Sequence, residues 1–102
     1  MKIIETLSER ISEEIADAGF YANMALEVKA NYPALSKVLY NISEEEMGHM
    51  RMLHNSVEEI IRNYRDQTGE PPPEMMAVYN YLHKKAIEKA ADVKMRQAMF
   101  KE

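Results

Sequence analysis

The sequence contains no cysteine and no tryptophan. Without cysteine there is no disulfide, iron–sulfur cluster, thiolate zinc site or rubredoxin-type iron centre. Carboxylate and imidazole are left as the metal ligands. Breakers are scarce: 3 glycines and 4 prolines in 102 residues. No apolar run is long enough to span a membrane. The start, Met1-Lys2-Ile3-Ile4-Glu5, lacks the apolar core of an export signal. The expectation is a cytoplasmic protein with no membrane partner. Basic blocks are also missing. Thirteen Lys and Arg are interspersed among 17 Asp and Glu, for a net charge of −4. That balance disfavours nucleic acid, whose binding depends on cations meeting phosphates.

What is present suits a globular chain: 46% hydrophobic and 29% charged residues, rich in the helix formers Ala, Glu, Lys, Met and Leu. The length fits one domain spanning 1–102, with a core modest enough that oligomerisation would add useful burial. Pro33 disfavours helix at Tyr32 and suits the first turn of a new one. The run Thr68-Gly69-Glu70-Pro71-Pro72-Pro73 closes one helix and opens another. The punctuation predicts helices over about 3–30, about 34–66 and about 73–99. No internal repeat is visible.

The first helix carries a stripe at alternating steps of three and four: Ile4, Leu7, Ile11, Glu14, Ala18, Tyr21, Ala25, Val28. Glu14 interrupts it. The second helix carries Leu35, Leu39, Ile42, Glu46, His49, Leu53, Val57, Ile60, interrupted by Glu46 and His49. The short link at Asn31-Tyr32-Pro33 predicts an antiparallel hairpin, in which opposed positions keep a nearly constant index sum. Val28 then opposes Leu35, Tyr21 opposes Ile42, and Glu14 opposes His49, one turn from Glu46. Three polar residues that break their stripes meet at one depth.

A buried carboxylate is costly unless a cation or a hydrogen-bonding partner relieves it. Glu46 and His49 sit at i, i+3 and leave one helix face. Glu-x-x-His in a bundle core is a recurring ligand unit of di-iron and di-manganese carboxylate proteins, whose full site takes a Glu from each of two helices and Glu-x-x-His from each of two more. Imidazole with carboxylate suits iron, with manganese or zinc also fitting. This chain supplies one Glu and one Glu-x-x-His. The third helix offers Glu74, His83, Glu88 and Asp92 without that unit. A two-fold axis would supply the missing half, placing two ions in a dimer between paired copies of Glu14, Glu46 and His49. A buried Glu–His pair that fixes helix register is the plainer alternative.

The stretch Glu14-Ile15-Ala16-Asp17-Ala18-Gly19-Phe20-Tyr21-Ala22-Asn23-Met24-Ala25 resembles the first helix of rubrerythrin and other ferritin-like proteins, where a ligand Glu is followed seven positions later by Tyr. The stretch Pro33-Ala34-Leu35-Ser36-Lys37-Val38-Leu39, continuing to Glu45-Glu46-Met47-Gly48-His49, is similar to the second helix of encapsulated ferritins. Those are short members that build their site between subunits. The resemblance covers roughly residues 5–65. It implies metal ligation by Glu14, Glu46 and His49, a catalytic neighbour in Tyr21, and oxidation of ferrous iron by dioxygen or peroxide. These cysteine-free residues hold no rubredoxin-like segment of the kind full rubrerythrins carry, so the expectation is a site without an internal electron donor. Met95 to Glu102 shows no encapsulin-targeting tail.

From the residues alone, Tyr21 is either a hydrogen-bonding or electron-carrying partner of the site or a core tyrosine. Glu13, Glu44 and Glu45 read as solvated charges, with a cation entry route as the sharper alternative. Asp17, one turn from Glu14, is a minor candidate for touching metal or metal-bound water. His54 reads as exposed, and His83 as exposed or at an interface. The nine methionines read as packing residues rather than a copper site. The resulting expectation is an all-α, ferritin-like fold: an antiparallel helical hairpin plus a third helix, forming a four-helix bundle by homodimerisation. Non-catalytic metal binding, or a helical dimerisation module without metal, are the alternatives.

Overall fold

The computed structural model describes residues 1–102 as three helices and no strand: α1 (Lys2–Val28), α2 (Pro33–Thr68) and α3 (Pro73–Phe100). The boundaries lie within two residues of those expected. Pro33 opens α2 and holds Tyr32 out of the helical region, at φ −135° and ψ 67°. α2 ends at Gly69, whose φ of 99° suits glycine and lets its N–H donate to the Arg65 carbonyl at 3.1 Å. Pro73 then opens α3. The molecule measures 56 × 19 × 18 Å. Its long dimension is that of α2, whose 36 residues at about 1.5 Å each reach nearly that far.

α1 runs antiparallel to α2 and parallel to α3. Met1 meets Met75, Gly19 faces Val93, and Lys29 reaches the Phe100 carbonyl. α1 packs against both other helices, which touch each other only sparsely. It is therefore buried over a wider arc than its single expected stripe. Ile15, Gly19 and Ala22 are buried beside Ile4, Ile11, Glu14, Ala18 and Ala25. The main core joins these isoleucines to Met47, Val57 and Ile61 of α2 and to Ala90 and Val93 of α3. Each fully buried large aliphatic side chain contributes about 1.5–3 kcal/mol. A smaller cluster of Ala25, Leu39 and Tyr40 closes the other end, where Phe100 stacks on Tyr40 at 4.5 Å.

The stripe expected on α2 is shifted by about one position. The buried residues are Ser36, Leu39, Tyr40, Ser43, Met47, Val57 and Ile61. Of the expected line only Leu39 and Val57 are buried. Ile42, Glu46, Leu53 and Ile60 are half-buried, and Leu35 and His49 are exposed. Two serines face the core because their hydroxyls are satisfied there. Ser36 Oγ donates to the Pro33 carbonyl at 2.8 Å, and Ser43 Oγ donates to the Ala18 carbonyl at 2.6 Å. Gln97 Nε2 of α3 donates to Ser43 Oγ at 2.9 Å, so one buried chain of hydrogen bonds ties all three helices at a single level. A polarity pattern cannot reveal this face, since serine reads as solvent-facing.

His54 is half-buried rather than exposed. Its ring stacks on His83 of α3 with centroids 4.7 Å apart, Tyr79 extends the stack, and Nε2 pairs with Glu58 at 2.8 Å. Beside this stack, a groove of about 280 Å³ separates α2 from α3. No helix is long and apolar enough to cross a membrane.

Candidate metal centre

α1 and α2 bring Glu14, Glu46 and His49 to one level, as the hairpin arithmetic requires. One donor atom from each of the three lies within 4.8 Å of the others. His49 Nδ1 stands 3.5 Å from Glu14 Oε2. Glu14 is buried, Glu46 half-buried and His49 exposed. Glu14 Oε1 accepts a hydrogen bond from Arg10 Nη2 at 2.9 Å. The second oxygen, Oε2, is buried and has no hydrogen-bond donor. An orphaned carboxylate oxygen in the interior is uncommon and costly, and a bound cation is one thing that satisfies it.

The charges reinforce this. Glu46 is pushed up to about 6, first by a hydrogen bond shared with Glu14, then by burial and by the charge on Glu14. Glu14 is held below the usual carboxylate range, first by that bond from Glu46, then by Arg10 and His49. Two carboxylates this close share one proton, and the pair titrates as a unit. Below a pH of about 6 Glu46 can donate its proton to Glu14; above it both carboxylates are charged, Glu14 Oε2 has no donor, and a divalent cation there would neutralise both groups. The donor set of two carboxylates and one imidazole therefore fits iron, manganese or zinc. Three donors per chain fall short of a complete two-ion site.

The site lies on the side of the hairpin away from α3. Gly19, five residues after Glu14, faces Val93, and His54, five after His49, stacks on His83. Five residues turn a helix by about 140°. Nothing in the chain covers His49, whose side chain is 56% exposed. Leu35 and Val38, which share its face of α2, are 45% and 52% exposed.

Tyr21 lies two turns beyond Glu14 on α1. Its half-buried ring packs on Ala25, Leu39 and Tyr40, and edge-on to Phe20 at 5.4 Å. Asp17 is exposed, and its charge is a minor influence on Glu46. Glu44 and Glu45 are exposed, and Glu13 is tied to Arg10. Met47 is buried in the main core, with Met50 and Met75 packed against it, which fits a packing role. Sequence reasoning missed Arg10. Its signal was present in the spacing, i, i+3 to Glu13 and i, i+4 to Glu14.

No curated protein and no solved structure matches the chain. The sequence pattern of the rubrerythrin family matches residues 5–102, nearly the whole length and including the third helix. The three converging ligand-type side chains and the all-helical fold agree with that match, and the chain belongs to the rubrerythrin family.

Proposed function

We propose that this protein is a di-iron carboxylate protein that oxidises ferrous iron with dioxygen or peroxide, at a site shared between two copies of the chain. The observation that carries the reading is the buried, donor-less Oε2 of Glu14 facing Glu46 and His49. Glu14 and Glu46 would supply negative charge to offset the cations, and His49 a neutral nitrogen donor. Glu46 would release its shared proton as a cation arrives. Iron held there would supply one-electron redox chemistry and open positions for the oxidant. Tyr21, two turns beyond Glu14, is the residue proposed to orient a ligand carboxylate or pass an electron.

Two features support the shared site. One chain offers three ligands where the full constellation needs six. The face bearing His49 is uncovered and has exposed apolar neighbours in Leu35 and Val38. A second copy related by a two-fold axis would cover that face with its own and complete a four-helix bundle. The test is oxygen consumption after anaerobic loading with ferrous iron. Turnover in the wild type and none in Glu46→Ala or His49→Ala is the expected result. Bound iron without oxygen uptake would make the protein a carrier or sensor. No metal bound at all would leave a helical dimerisation module.

A further inference from the structure

Arg10 lies one turn before Glu14, and its guanidinium forks. Nη1 pairs with Glu13, and Nη2 donates to Glu14 Oε1 at 2.9 Å. The two oxygens of Glu14 are thereby made unlike. Oε1 is engaged on the outer side, where Arg10 is half-exposed. Oε2 is buried, unpartnered and turned toward His49 Nδ1 at 3.5 Å. A carboxylate without such a partner can offer both oxygens to one cation, or bridge two. A planar guanidinium bound to Oε1 opposes that freedom, while its other nitrogen pairs with Glu13. Most exposed ion pairs on a helix contribute little. Here one partner is buried and is itself the candidate ligand.

We propose that Arg10 is a positioning residue, which confines Glu14 to one-oxygen ligation through Oε2 and supplies the site's counter-charge until a cation arrives. The inference rests on the metal-centre reading above. It has two separable consequences. The fixed positive charge opposes an incoming cation, and the fork sets how Glu14 ligates. Arg10→Gln removes both, and Arg10→Lys keeps the charge but loses the fork.

Cobalt(II) titration tests this, because its visible absorption reports coordination number apart from any catalysis. Arg10→Gln is expected to bind cobalt roughly three- to tenfold more tightly, as a nearby unit charge would dictate. Its absorption should weaken as Glu14 chelates through both oxygens and the coordination number rises. Arg10→Lys is expected to keep the wild-type affinity and show the altered spectrum. Circular dichroism should find all three proteins equally helical. An Arg10→Gln protein with wild-type affinity and wild-type spectrum overturns the proposal and leaves an ordinary surface pair. A wild type that takes up no cobalt overturns the metal centre itself, and this inference with it.

Discussion

Glu46 links the site to pH. Its carboxyl titrates at about 6 in the folded chain, above its ordinary value of 4.5. A cation must displace that proton, so uptake should strengthen as pH rises through 6 and level off above it. Affinity at pH 5 is expected to be about tenfold weaker than at pH 7, measured by metal titration. In the metal-free chain the sign reverses. A raised carboxyl pKa adds stability below the unfolded value, and that contribution is lost as pH rises through about 6. Glu14, held low, works oppositely: its contribution is lost as pH falls through its folded value. Glu46→Gln should keep the helices, abolish metal uptake and remove the pH dependence near 6. Denaturant titration at pH 5 and pH 7 checks the stability half. Glu14, Glu46 and His49 were legible in the sequence because each interrupts an apolar stripe. Arg10 was not, because a half-exposed i, i+4 pair reads like any solvated pair on a helix.

Among the elements, α1 and the helix ends were the most legible, since proline and glycine act locally. α2 was the least. Its true inner face includes Ser36 and Ser43, whose hydroxyls bond to carbonyls that no pattern of polarity can foresee. Ser43 accepts from Gln97 and donates to Ala18 in full burial. Ser43→Ala would strand the Gln97 amide and should cost about 1–3 kcal/mol in urea unfolding. The double variant Ser43→Ala, Gln97→Leu should recover part of that loss, because no polar group is then left unpaired. Gly48 presents the opposite case. A Cβ there would meet only the tip of Arg51, at 3.9 Å, so nothing in the chain's own packing requires glycine. Gly48→Ala should stabilise α2 by up to about 1 kcal/mol in thermal unfolding of the separated chain. A variant that folds better but assembles worse would mean that another copy approaches at Gly48.

At the scale of the whole molecule, α3 and the site divide the hairpin between them. α3 covers the side of Gly19 and His54, while Glu14, Glu46 and His49 sit on the other. α2 carries a wider apolar band than α1 and α3 together cover, which is why Leu35 and Val38 remain exposed on the His49 face. Leu35 belongs to the stripe that the sequence suggests as core and Val38 does not; only the packing reveals that both point outward. A site with Glu14 buried and His49 on an uncovered face is the arrangement that the proposed self-complementary dimer would use. Native mass spectrometry of the chain, loaded anaerobically with ferrous iron, counts copies and ions together. The account predicts a dimer carrying two irons, and a metal-free species for His49→Ala. A monomer, or a dimer that takes up no iron, would contradict it.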